Sequence, residues 1–588
     1  MATDGLLKEE VSVPEAIVRV LEEAGIDMVF GMPGGNTLLL FDALYDHRST
    51  IRTILVRHES LAGVMAEVYG RLTGKPGVAI GQGAFMLSNA VLGMLEAHLG
   101  SSPMLLLTDL SDNAPFSHHA PYQAGTGDYR TWDAKQSFGG FTKITMVAQE
   151  AVQAVQNTQL AIKHATTGER GPVAVLYHSA SLKGLVGPDS LPHLYPTQLY
   201  LSSSKPLPAD EATVEVAAQA LLKARQPVII AGNGVRISQG YRELQNLAEF
   251  IGAPVATTAS GKGVFPEIHE LAIGVFGNFG LPLANVLVSE ADVVLVVGSK
   301  LSSTDTISEN SRLLDPQRQR MIQIDVEPKN TSWTFPCDHV IIGDAYRALS
   351  QLTRALRDRG GLSQEMLNSR REKIAEGRRK YGFFNPPGFD SDEVPILPQR
   401  IIAEIHKAIS ENAFIACDAG ENRLFMTHYF QTKSAGTFIQ PAAIGGMGYA
   451  IPAALAAKLM DPTRQVVAVC GDGGFTIAMN GLITAYEEGI AIVTVVFNNR
   501  ALGWVKHGQK DRVIASEFAN IDYAAIARAM GCQGIRVEEP GQLAKALAEA
   551  LGSHEPTVLD VVTSLKPSYE DVMSPLAIPL WESLEEDK

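Results

Sequence analysis

Unbroken apolar runs of strand length recur along this chain, each separated from the next by a stretch with helical spacing. This alternation restricts the fold more than any other feature. IDMVFG at 26–31, PMLLLTDL at 103–110 and GPVAVLYH at 171–178 come first; PVIIAGNG at 227–234, ADVVLVVGS at 291–299 and MIQIDV at 321–326 follow; AFIACDAG, QVVAVCGDG, AIVTVVFNN and TVLDVVTS close the series between 413 and 564. A strand that is apolar on both faces needs cover on both, and a parallel sheet with crossover helices supplies it. The pattern predicts an α/β chain of three open, mostly parallel-sheet domains. Such sheets take their ligands beyond the carboxyl ends of the strands.

Composition places the boundaries. Residues 186–209 hold five prolines with little periodicity and read as a linker. A second shift, at 359–399, begins charged and ends rich in turn formers. Domains are therefore expected at 1–185, 205–357 and 400–565, with an irregular tail at 566–588 that ends acidic. A hydrophobic share of 46% over 588 residues is enough for several cores and excludes a disordered chain. The net charge of −15 gives no basic surplus for nucleic acid or for an anionic membrane surface. Four scattered cysteines, none in a CxxC pair, argue against a disulfide scaffold and a structural zinc. With no cationic leader followed by an apolar run, and no apolar run of membrane length, a cytoplasmic setting is expected.

The richest motif lies in the third domain. Gly471-Asp472-Gly473-Gly474 follows one buried strand directly, and Asn498-Asn499 ends the next, with a helix between. Asp472 and Asn499 are thus expected at the carboxyl ends of neighbouring parallel strands. A carboxylate, an amide oxygen and a backbone carbonyl are hard ligands that suit Mg²⁺ or Ca²⁺. Glycines beside them let a diphosphate come close, and a helix N-terminus favours anions.

This arrangement resembles the signature of thiamine diphosphate enzymes of the acetolactate synthase and pyruvate oxidase superfamily, and the likeness runs from about residue 10 to 565. The resemblance implies a pyrimidine-binding domain, a central domain and a diphosphate-binding domain. It implies that Asp472, Asn499 and the carbonyl of Ala501 ligate Mg²⁺, and that Gly471, Gly473, Gly474 and Asn498 serve the cofactor. Glu59, in RHESLAG, matches the family's activating glutamate, which bonds the cofactor aminopyrimidine. Gly34 and Gly35 match the first glycine turn. Gln82 stands at a strand end near the cofactor edge, Met447 matches the bulky residue under the thiazolium, and Trp504 stands at the active-site methionine position. Cofactor sites in this family lie between the first domain of one subunit and the third of another, so a homodimer is the minimum and a tetramer is frequent.

The same resemblance leaves the substrate open between a 2-oxo acid and an acyl-CoA. Adjacent His118 and His119, in the loop 111–132, resemble the proton-relaying pair of pyruvate decarboxylase; the glutamate that accompanies them there is Val505 here. The arginine pair of FAD-holding synthases is replaced by Lys300 and Thr304, so the central domain is expected to hold FAD, ADP or nothing. Lys262, Lys506, His507 and Lys510 are candidate anion contacts. The reading is an acetolactate-synthase-like carboligase, with a 2-hydroxyacyl-CoA lyase and a non-oxidative 2-oxo-acid decarboxylase as alternatives.

Overall fold

The computed structural model of the chain describes residues 5–111 and 122–577. Three six-stranded sheets carry it, and every strand pairing within them is parallel. The first runs Arg52–Leu55, Met28–Gly31, Gly77–Gly81, Met104–Asp109, Pro172–Tyr177, Ile144–Ala148. The second runs Ala272–Val275, Val255–Thr257, Pro227–Ala231, Val293–Val297, Arg320–Asp325, His339–Ile342. The third runs Phe438–Ile439, Phe414–Cys417, Val466–Gly471, Val493–Asn498, Thr557–Val562, Gln533–Val537. The inner strands are buried almost throughout, as their two-faced apolar sequences require, while the edge strands Arg52–Leu55, Ile144–Ala148, His339–Ile342 and Gln533–Val537 are partly open.

All three sheets are wound alike. The chain starts at an inner strand, moves outward to one edge, then crosses back to the other side of its starting strand. This leaves a crevice between Met28–Gly31 and Gly77–Gly81 in the first sheet, and between Phe414–Cys417 and Val466–Gly471 in the third. Such reversals are where open α/β sheets bind ligands. Local sequence sets the helix ends: Ser12 caps Val13–Glu23 by accepting from the Glu15 N–H, and Gly74, with φ +72°, stops Glu59–Thr73 in the left-handed region that favours glycine.

The chain forms two compact units. One extends to Lys205 and takes in Leu455–Met460; the other holds Pro206–Ala454 and continues from Asp461. In the second unit the central and third sheets are pinned by a buried ion pair. Lys262 Nζ donates to both Glu267 carboxylate oxygens at 2.8 Å and to the Phe430 carbonyl at 2.8 Å, while Glu267 accepts from the Thr432 N–H at 2.8 Å. The expectation that Lys262 contacts an anion in a ligand site is corrected: it is 1% exposed and fully engaged.

Two segments read as breaks are ordered. Within 186–209, Leu194 is buried in the first core and the Thr197 N–H donates to Glu23 Oε2 at 2.6 Å, starting a helical turn at Thr197–Tyr200. Within 359–399, Gln364–Tyr381 is an 18-residue helix whose Ile374 joins the central core and whose Arg370 donates to the carbonyls of Ile251 and Ala224. Its apolar positions are too sparse for periodicity to reveal. Among the described residues, no helix is long and apolar enough to cross a membrane.

Candidate active site

In the first unit, the crevice between strands brings Gly34, Gly35 and Gln82 together. Gly35 has φ +53°, and a Cβ there would lie 3.0 Å from Asp109 Oδ2 and 3.2 Å from the Gln82 side chain. Gln82 stands just before the helix Gly83–Asn89, and its side-chain amide donates to Gln123. Asp109, at the end of its strand, holds both turns: it accepts from the Asn36 N–H at 3.1 Å and from the Gly83 N–H at 3.0 Å. The sequence reading missed Asp109, although an acid ending LLLTD is the same signal that drew attention to Asp472.

Glu59 opens the helix Glu59–Thr73, where a carboxylate is ordinarily a solvated cap. Here it is 4% exposed, and its Oε2 accepts from Asn89 Nδ2 at 2.8 Å. Asn89 ends the helix that Gln82 starts, so one short helix links the glycine turns to Glu59. His118 and His119 lie outside the described residues.

In the second unit, a solvent-open cleft of about 870 Å³ occupies the crevice of the third sheet. Gly471, Asp472, Gly473, Gly474, Met447, Asn499, Ala501 and Trp504 all line it. Asp472 starts its helix directly after the strand; it is 1% exposed and accepts from the Gly473 N–H at 2.9 Å and the Arg500 N–H at 2.6 Å. Burial pushes its carboxyl up to about 7. Asn499 follows the adjacent strand, and its Oδ1 accepts from the Ala501 N–H at 3.1 Å. Among the described residues no three His, Cys, Asp or Glu cluster in a way that could hold a metal, so a cation bound here would need a mixed oxygen set. One buried carboxylate, one amide oxygen and one backbone carbonyl on adjacent strand ends fit Mg²⁺ by donor type.

Asn498 departs from expectation. Strand alternation turns it away from Asn499, and its amide donates to Asp560 Oδ1 at 2.8 Å and to the Ile521 carbonyl at 3.1 Å. It braces the sheet and does not line the cleft.

Met447 depends on Gly473, since a Cβ there would lie 2.7 Å from Met447 Cε. The Met447 loop is held by Asp418, a buried strand-end carboxylate that the sequence reading did not single out. It accepts from the N–H groups of Ala419, Gly448 and Ala450 at 2.8–2.9 Å, and burial pushes it up to about 6. Trp504 packs edge-on against Phe279, 5.5 Å between ring centroids, with Tyr569 at 5.9 Å, forming an aromatic wall. Lys506 is paired with Glu517 at 2.8 Å, and His507 with Glu421 at 2.6 Å.

In the central sheet, Gly232 and Gly234 pack on Gly298, and Asp325 accepts from the Glu327 N–H and from Asn330. Arg236, the cation of this turn, is spent on Asn233 and on the carbonyls of Ser260, Lys262 and Phe438. Its guanidinium is therefore already committed to partners within the chain.

Comparison with known proteins follows the same division. The N-terminal TPP binding domain of thiamine pyrophosphate enzymes matches residues 11–127, their central domain 214–352, and their C-terminal TPP binding domain 418–561. A probable acetolactate synthase large subunit of Methanocaldococcus jannaschii is 32% identical, with 93% of this chain and 91% of that protein covered. The acetolactate synthase large subunit of Haemophilus influenzae is 29% identical, and the isozyme 3 large subunit of Escherichia coli 28%, each with 92% of both chains covered. Three sheets wound alike, matched in order by three domain models and over most of their length by these relatives, make the chain a member of the thiamine pyrophosphate-dependent enzymes of the acetolactate synthase and pyruvate oxidase superfamily.

Proposed function

We propose that this protein is an acetolactate-synthase-like carboligase that acts on 2-oxo acids, with thiamine diphosphate (the pyrophosphate of the domain names) and Mg²⁺. The observation that carries the reading is the third-sheet cleft, where Asp472 and Asn499 flank a glycine turn with Met447 against Gly473. The acetolactate synthases among the relatives support the substrate class. Asp472, Asn499 and the Ala501 carbonyl would hold Mg²⁺, and Gly471, Gly473 and Gly474 the diphosphate. When bound, the cofactor would supply a nucleophilic carbon that adds to a carbonyl and a cationic thiazolium ring that delocalises negative charge from the former carbonyl carbon.

The protein's own residues position, exclude water and move protons. Glu59, fixed by Asn89, would hold a proton at its carboxylate for the cofactor's pyrimidine. Met447, held by the Asp418-clamped loop, would support the bound cofactor from below the glycine turn. The Trp504 wall would keep water from the reacting carbon, where protonation competes with ligation. The proposed assembly is a homodimer at least, a tetramer included.

A lyase acting on 2-hydroxyacyl-CoA is the second reading, supported by Lys300 and Thr304 standing where the resemblance expects arginines. The test is a product screen with thiamine diphosphate, Mg²⁺, pyruvate, aromatic 2-oxo acids and short 2-hydroxyacyl-CoAs, read by mass spectrometry. Acetolactate supports the proposal. Formyl-CoA would replace it with the lyase and free aldehyde alone with the decarboxylase; no cofactor-dependent product would sink all three.

A further inference from the structure

We infer that His507 is a charge-balancing residue of the cofactor cleft: its imidazolium cancels the Glu421 carboxylate, so that the cleft accepts a diphosphate. The inference rests on the thiamine diphosphate reading. Glu421 begins the helix Glu421–Tyr429 and is 5% exposed, yet it lines the same cleft as Asp472, Gly473 and Asn499. A Cβ on Gly503 would lie 2.4 Å from Glu421 Oε2 and 3.1 Å from Asn499 Nδ2, so the two side chains flank one point of the cleft wall. An anionic oxygen there opposes the binding of another anion.

The opposite face of Glu421 is where the compensation lies. Its Oε1 is 2.6 Å from His507 Nδ1 and accepts from the Tyr569 N–H at 2.8 Å. The other ring nitrogen, Nε2, is 3.0 Å from the Leu565 carbonyl. A carbonyl and a carboxylate both accept, so satisfying both requires a proton on each ring nitrogen. The hydrogen bond to Glu421 raises the His507 pKa from its ordinary value, in keeping with a charged ring. Both residues have neighbours that fix them in place, so the pair costs little reorganisation when a ligand arrives.

A merely structural pair, tying the 565–569 segment to the helix, predicts that either neutral substitution weakens the site alike. Charge balance predicts opposite signs. The experiment measures the Kd of thiamine diphosphate with saturating Mg²⁺ by calorimetry on the full chain. His507→Gln should weaken binding about 10–100-fold, the usual span for residues behind a first ligand shell. Glu421→Gln should leave binding equal or tighter, and the double variant should return it to near the wild-type value. His507→Gln within about twofold of wild type, Glu421→Gln weakened about tenfold, or a double variant no better than His507→Gln would each overturn the inference. Should His507→Gln fail to fold, the sign of the Glu421→Gln effect still decides. A wild-type protein that does not bind thiamine diphosphate would instead sink the underlying reading.

Discussion

The crevices of the first and third sheets are built on one plan with different wiring. Each has a buried carboxylate at the start of a helix, Glu59 in one and Asp472 in the other. Each has a strand-end carboxylate that clamps loops by accepting backbone N–H groups, Asp109 in one and Asp418 in the other. The helix-start pair differs in what holds it. Asp472 is gripped by the backbone of its own turn and of the next strand's end, a rigid seat suited to a cation. Glu59 is met instead by the side chain of Asn89, whose amide donates to its Oε2. One architecture thus seats its helix-start carboxylate on main chain in one crevice and on a side chain in the other, and the proposed function assigns the first to holding a cation and the second to moving a proton.

That contrast breaks most sharply at Glu59. Glu59→Gln should lower kcat by about 10²–10⁴-fold while the thiamine diphosphate Kd stays within about threefold. A kcat near wild type would remove the proton role. At Asp472 the pattern should invert, because the loss falls on binding. Asp472→Ala should weaken Mg²⁺-dependent cofactor binding about 100-fold by calorimetry, and unchanged binding would show that the metal is held elsewhere.

The glycine turns sharpen the comparison in stability. A Cβ on Gly83 would lie 2.0 Å from the Asp109 carbonyl oxygen, a backbone atom that cannot step aside, whereas on Gly473 it meets the mobile end of Met447. Gly83→Ala should therefore cost about 2–3 kcal/mol in urea unfolding, and Gly473→Ala under about 1 kcal/mol. Equal losses would mean that the Met447 loop is as rigid as the Asp109 turn.

The last contrast is one of pH dependence and concerns Asp418. Its carboxyl is raised from 3.8 to about 6 by burial. A raised carboxyl favours the folded state while protonated, so its contribution is complete below the ordinary value and is lost as pH rises through about 6. The stability difference between wild type and Asp418→Asn should then shift against wild type by on the order of 2 kcal/mol between pH 4 and pH 7. A flat difference would mean that the three backbone donors hold Asp418 ionised throughout.

The wound sheets and the metal-type motif were legible in the sequence because their signals are local. A two-faced apolar run becomes a parallel strand, and GDG followed by NN one crossover later puts Asp472 and Asn499 on neighbouring strand ends. The same local logic failed at Asn498, since alternation points one asparagine into the cleft and the other to Asp560, and adjacency in sequence hides that. The cations behaved likewise: Lys262, Lys506 and His507 each found a carboxylate within the chain, none of them predictable from charge alone.

By itself the sequence determined the three sheets, the strand-end positions of the site and the donor types gathered there, because period and spacing fix which way a strand faces and where it stops. Tertiary structure decided the burial of Glu59, the Asp109 and Asp418 clamps and the Glu421–His507 pair. The last joins residues 86 positions apart, and such pairs form where separate strand ends converge at a crevice, a geometry carried by the packing of the sheet and not by any short stretch of chain.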